Sequence, residues 1–253
     1  MINPNVLRKK VLDMVYAKKS GHIGGSFSMA ELVSVLYHEY DIGGNDKLIL
    51  SKGHAVPIIY AVLHELGKIS DHDLSLFREI DSPLQGHPDK LRLPLLDATT
   101  GSLGQGLSIA IGHALGKKLK GQSGKVFCVI GDGEMQEGQI WEALMFVPKT
   151  DIDNLICIID WNKAQNDGWS KDFIPMYDNL SERISSFGWN CKLINGHDVS
   201  IISESLCAES DKPLCIILDT IKGKGVSFME DPRWHSKVPT DEEYQKAIEE
   251  LSI

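Results

Sequence analysis

Val126-Phe127-Cys128-Val129-Ile130 followed by Gly131-Asp132-Gly133-Glu134, and Leu155-Ile156-Cys157-Ile158-Ile159 followed by Asp160-Trp161-Asn162-Lys163-Ala164-Gln165, are the segments that decide the fold. Each is a short unbroken apolar run ending in a polar loop, as expected of a strand covered on both faces. The helical pattern around Gly138 to Val147 joins them into a strand-helix-strand unit, so both loops emerge at the carboxyl edge of one parallel sheet. That edge is where open α/β folds bind ligands. Asp132 and Asn162 then bring a carboxylate and an amide oxygen together, the hard oxygen set that suits a divalent cation such as magnesium or calcium. Gly-Asp-Gly taken alone is more often a tight turn. The paired loops, in this order and spacing, carry the cation reading.

From Lys125 onward the alternation continues: Gln139 to Val147 as helix, Leu155 to Asp160 as strand, Leu180 to Phe187 as helix, Cys191 to Ile194 as strand, Val199 to Glu209 as helix and Leu214 to Asp219 as strand. The fold class is therefore α/β, an open, mostly parallel sheet with helices on both faces. The first third reads as helices, Asn5 to Lys19, Ser28 to Glu39 and Ala55 to Leu66, with Ser28 and Glu31 placed as a capping box. A proline-bearing loop from Ser82 to Thr100 leads into Gly101-Ser102-Leu103-Gly104-Gln105-Gly106 and a small-residue helix from Leu107 to Lys120. Its glycine order is not that of a dinucleotide fingerprint, so it reads as close backbone approach to a ligand. A last amphipathic helix, Asp241 to Leu251, starts at Thr240 as N-cap.

A chain of 253 residues with 42% hydrophobic content supports a full core and is read as one domain, residues 1–253. The net charge of −9, without a basic cluster interleaved with aromatics, argues against nucleic acid or an anionic membrane as partner. No apolar run reaches the roughly 20 residues of a membrane span, and the N-terminus lacks a signal-peptide layout, so a cytoplasmic location is expected. The five cysteines form no Cys-x-x-Cys pair and are expected to be buried reduced thiols.

Further motifs stand in order along the chain: Ser20-Gly21-His22-Ile23-Gly24, Ser51-Lys52-Gly53-His54-Ala55, Gln85-Gly86-His87-Pro88, the Gly101 to Gly106 turn, Glu137 and Glu142 after Asp132, and Trp234-His235. Together with the two opening loops they resemble transketolase, from about Asn5 to the last helix. Any one histidine has a hydrogen-bonded structural role as its alternative, but the order and company of the four argue for a site. The resemblance implies thiamine diphosphate as cofactor and the corresponding diphosphate-binding fold. It places Asp132, Asn162 and the Ala164 carbonyl on the cation, magnesium or calcium, and the Gly133 N–H on a phosphate oxygen. It puts His54 and His235 near the diphosphate, Gly101 and Leu103 beside the cofactor rings, and His22, His87 and His235 on the substrate's carbonyl and hydroxyl oxygens. Glu137 and Glu142 match family carboxylates near a subunit interface, Glu137 in a catalytic and Glu142 in a cofactor-binding role. Leu103 reads equally as core. Two departures are Ile23, where the family has proline, and Asn166, where some members carry an apolar residue near the thiazolium.

The family also needs a pyrimidine-binding domain with a glutamate that protonates the aminopyrimidine, and the motifs for it are absent from these residues. The expectation is the N-terminal subunit of a split transketolase, paired with a C-terminal subunit in a two-plus-two heterotetramer and acting on sugars or sugar phosphates. Two alternatives are the α subunit of a thiamine-dependent 2-oxoacid dehydrogenase, which gives no reason for His22, His54 and His87, and a catalytically silent cofactor-binding scaffold.

Overall fold

The computed structural model describes residues 1–173, 179–208 and 210–252. Its centre is a parallel sheet of five strands, β1 (Lys47–Leu50), β2 (Val126–Gly131), β3 (Leu155–Trp161), β6 (Asn190–Asn195) and β7 (Leu214–Asp219), in the order β1-β2-β3-β7-β6. A two-residue hairpin of β4 (Ala164–Gln165) and β5 (Gly168–Trp169) follows β3. Register pairs Gly131 with Asp160 and Trp161 with Asp219. The ends of β2, β3 and β7 therefore lie side by side at one edge, as the two opening loops led us to expect.

Both faces are covered. Phe127, Val129, Ile156, Ile158, Ile216 and Leu218 point into one core. It is shared with α1 (Pro4–Lys18), α3 (Ala30–Glu39), α4 (Pro57–Glu65), α9 (Val199–Leu206) and α10 (Asp241–Leu251). The alternate residues, Cys128, Ile130, Cys157, Ile159, Cys215 and Ile217, point into the other. That core is shared with α6 (Gln105–Leu119), α7 (Gly138–Phe146) and α8 (Leu180–Ser186). This period-two division of continuous apolar strands is why their sequences show no polar face. Two short helices, α2 (Gly24–Phe27) and α5 (Asp71–Ser75), complete the first third.

Local chemistry sets several boundaries. Asn3 accepts the Asn5 N–H at 2.9 Å, with Pro4 opening α1, and Thr240 with Glu243 closes a capping box on α10. The capping box expected from Ser28 and Glu31 does not form. Ser28 donates to Asp160 at 2.7 Å, and Glu31 accepts from Arg8 at 2.7 Å and pairs with His197 at 3.0 Å, so tertiary contacts claim both side chains. The all-helical reading of the first third also missed β1, whose four residues are too few to show a period and are ordered by pairing Lys47–Leu50 with Val126–Val129. The helix expected to reach Glu209 ends at Leu206, and Glu209 itself lies outside the described residues. Cys128, Cys157 and Cys215 are buried free thiols, but Cys191 is half-buried and Cys207 exposed, so the buried reading holds for three of five.

Candidate functional site

At the carboxyl edge of the sheet, a cavity of about 250 Å³ is lined by the ends of β1, β2, β3 and β7 and by His235. A larger hollow of about 770 Å³ opens at the opposite edge around Lys125, Leu155 and Leu214, and holds none of the candidate residues.

Asp132 sits at the tip of the β2 loop. One carboxylate oxygen accepts the Gly133 N–H at 2.8 Å and the other the Lys163 N–H at 2.6 Å, which clips the β2 loop to the β3 loop. Asn162 donates through Nδ2 to Asp160 at 2.9 Å, and its Oδ1 accepts the Ala164 N–H at 3.2 Å. Asp132, Asn162 and Ala164 all line the cavity, so the three expected cation ligands are gathered there. Two expected donors and acceptors are engaged otherwise. The Gly133 N–H points to Asp132 rather than outward, and the Ala164 carbonyl accepts from Lys222 Nζ at 3.0 Å.

Four histidines close in from separate segments. The His22 ring lies 5.3 Å from that of His54, 5.3 Å from His235 and 6.1 Å from His87, and His54 lies 4.9 Å from His235. Gly101, with φ +154°, lies against His87, where a Cβ would stand 3.4 Å from the ring. Burial, then the Arg78, His87 and Lys222 charges, lowers His22 to about 4. Burial and Lys222 lower His235 to about 3, burial and Lys52 hold His54 well below its ordinary value, and burial and Arg78 lower His87. All four are neutral near pH 7, able to donate from one nitrogen and accept at the other. His22 Nδ1 is buried without a hydrogen-bond partner among the described residues. Such an orphan costs about 1–3 kcal/mol, which a ligand oxygen would recover.

The sequence reading missed two lysines and two carboxylates. Lys52, inside a quoted motif but passed over for its neighbouring histidine, is buried, pairs with Asp160 and donates to the Gly25 carbonyl at 3.0 Å. Lys222 is buried with Nζ 2.9 Å from His235 Nδ1, and burial lowers it to about 8. No motif announced it. Glu134, buried, accepts from Ser51 at 2.5 Å, Gly104 N at 2.9 Å and Gly131 N at 3.0 Å, tying the glycine turn before α6 to β1 and β2. Asp160, also buried, bonds Ser28, Lys52, Asn162 and Thr220.

Leu103 is 38% exposed and lines the cavity, so it is not part of the core. Glu137 also lines the cavity and is exposed. Glu142 is exposed on α7 and is not brought to the cavity within this chain.

The residues present fit a diphosphate and its cation. Lys52, Lys222, His54 and His235 give the wall positive charge and N–H donors. At Gly25 an added Cβ would stand 3.2 Å from His54 and 3.4 Å from Lys52, so glycine keeps that wall open to a ligand. Burial, then repulsion from Asp160, raises Asp132 to about 7; a cation beside it would favour the ionised carboxylate. Among the described residues no three His, Cys, Asp or Glu side chains converge on a metal position. A cation here would complete its shell from phosphate oxygens and water, as magnesium does at phosphate sites.

A family model described as "Transketolase, thiamine diphosphate binding domain" matches residues 3–251. Transketolase-like protein 2 of Homo sapiens is 40% identical over 262 residues, covering 98% of this chain and 41% of that protein. The 6-deoxy-6-sulfo-D-fructose transketolase subunit SqwG of Clostridium sp. (strain MSTE9) is 38% identical over 260 residues, covering 98% of this chain and 94% of that subunit. Transketolase from Campylobacter jejuni superposes with a TM-score of 0.91 at 32% identity, over 99% of this chain and 42% of that one. The chain thus spans about two fifths of the longer relatives and nearly the whole of the subunit. The alternative of a 2-oxoacid dehydrogenase α subunit finds no support in these matches.

Proposed function

The chain belongs to the transketolase family, in its thiamine diphosphate-binding domain, and from that premise we propose that it is the N-terminal subunit of a split transketolase. Residues 1–253 form its diphosphate-binding domain, and a separate C-terminal subunit supplies the pyrimidine side of each active site in a two-plus-two assembly. The reaction moves a two-carbon ketol unit from a ketose to an aldose, with sugar phosphates as the substrate class. Such charged sugars are retained inside cells, so a cytoplasmic site of action belongs to the same reading. The observation that carries it is the convergence of four neutral imidazoles, of which His54 and His235 line a cavity that also presents Asp132, Asn162 and two buried lysines. Support for the split comes from the likeness to a protein named as a subunit and covered over 94% of its length.

Bound thiamine diphosphate supplies the carbanion-stabilising chemistry, while the protein orients it and manages protons. Asp132, Asn162 and the Ala164 carbonyl would hold magnesium or calcium. For Ala164 to do so, Lys222 must turn from that carbonyl, and a phosphate oxygen is its natural new acceptor. His54 and His235 line the diphosphate side. His22, His87 and His235 hold hydroxyl and carbonyl oxygens of the sugar and exchange protons with them, a contribution of about 10²- to 10⁴-fold for a positioned acid or base. On α7, Glu142, Met145 and Phe146 stand exposed, a surface suited to burial against the partner.

The test is two-carbon exchange among ketose and aldose phosphates by the purified chain, alone and with the product of the neighbouring gene. Activity should appear only in the complex and vanish with Asp132→Ala, together with magnesium-dependent retention of thiamine diphosphate. Full transfer by this chain alone, or unchanged cofactor affinity in Asp132→Ala, would refute the proposal.

A further inference from the structure

Asp160 is the penultimate residue of β3, the central strand of the sheet, and is wholly buried. Its Oδ2 accepts from Ser28 Oγ at 2.7 Å, from Asn162 Nδ2 at 2.9 Å and from Lys52 Nζ, and its Oδ1 accepts from Thr220 Oγ1 at 2.5 Å. The four donors come from four segments, and each segment carries a group that faces the cavity. Ser28 closes the short helix that carries Gly25, Lys52 stands two residues before His54, Asn162 belongs to the cavity wall, and Thr220 stands two residues before Lys222.

A buried ion pair is weak grounds for a stabilising role, since desolvation offsets most of the attraction between Lys52 and Asp160. Hydrogen-bond chemistry points elsewhere. An ionised carboxylate only accepts, so the Asn162 amide must turn its NH₂ toward Asp160. Its Oδ1 is then turned away from Asp160, toward the Ala164 N–H, where the β2 and β3 loops meet. With no carboxylate at this place only the 3.2 Å bond from the Ala164 N–H would favour that orientation, and an amide turned the other way presents its NH₂ there, which repels a cation.

We infer that Asp160 is a positioning residue, which sets the Asn162 amide with its oxygen toward the cation position and holds Lys52 against the cavity wall. The inference rests on the thiamine diphosphate reading of this cavity. Groups that fix a metal ligand's orientation typically change metal affinity by about 10- to 100-fold when removed.

The experiment is calorimetric titration of magnesium thiamine diphosphate into the full chain with its partner subunit, comparing wild type, Asp160→Ala, Asp160→Asn and Ser28→Ala, each also melted to measure stability. Asp160→Ala should weaken binding by about 10-fold or more. Asp160→Asn should stay within about threefold of wild type. Its amide oxygen can keep the place of Oδ2 for Lys52, Ser28 and Asn162, while its NH₂ donates to the Thr220 hydroxyl, which can accept. Ser28→Ala removes one donor without freeing Asn162, so it should lower the melting temperature while leaving affinity within about threefold. Wild-type affinity in Asp160→Ala would overturn the inference, as would affinity losses that track stability across all three variants. Should Asp160→Ala not fold, the Asn variant decides: a fall of about 10-fold or more in a normally melting protein overturns it. Failure of the wild-type complex to bind the cofactor would instead refute the functional reading.

Discussion

Replacing His22 with glutamine should flatten the acid limb of this protein's stability curve. His22 titrates near 6.5 in an unfolded chain but about 4 in the fold, chiefly through burial and then through Arg78, His87 and Lys222. Its native pKa is lowered, so between these values the unfolded chain binds the extra proton. Stability is therefore intact above about 6.5 and lost as pH falls toward 4. Integrating the linkage from about pH 7 to about pH 4.5 gives close to 2.4 kcal/mol, and partial solvent contact of the ring reduces this to roughly 1–2 kcal/mol. Glutamine carries no such proton. Urea unfolding of both proteins without cofactor, followed by tryptophan fluorescence across that range, measures the effect. Wild type should lose roughly 1–2 kcal/mol more than His22→Gln between the two ends. Curves that run parallel to within about 0.5 kcal/mol would mean that His22 is not desolvated as the structure shows, and the neutral-imidazole account would fall with it.

Gly106→Ala should be strongly destabilising, because its Cβ would stand 2.4 Å from the Ser51 side chain and 2.6 Å from the Ser51 backbone, where α6 crosses the end of β1. Overpacking and the loosened Ser51 to Glu134 bond together cost roughly 2–4 kcal/mol, a fall of about 4–16 °C in Tm by calorimetry for a chain of this size. Lys222→Met should bind magnesium thiamine diphosphate about 10- to 100-fold more weakly by isothermal titration, the loss of one or two charge-assisted hydrogen bonds. Unchanged affinity would show that Lys222 serves only the Ala164 carbonyl and His235.

The order of elements after Lys125, the parallel sheet and the pairing of the two loop tips could be read from the chain alone. Long apolar strands and a helix between them admit few arrangements. The histidine motifs were equally legible, because three sit in a local Gly-His context and the fourth in Trp234-His235, contexts that owe nothing to distant residues. Thr240 with Glu243 shows the same locality at a helix start. What lay beyond reading depends on partners far away in sequence. β1 is four residues whose strand form comes from β2, 79 positions later in register. Ser28 and Glu31 have the spacing of a cap, but Asp160, Arg8 and His197 offer them better-buried partners. Lys222 lies in no motif and Asp160 opens the second quoted loop with no role read for it, and only the side-by-side ends of β3 and β7 turn them into a cavity wall and its support. Local propensity acts over a few residues, whereas burial of charge is decided by whatever the sheet brings alongside. The sequence therefore disclosed the histidines and loop-tip residues that gather at the carboxyl edge, and the tertiary structure decided which buried charges stand among them.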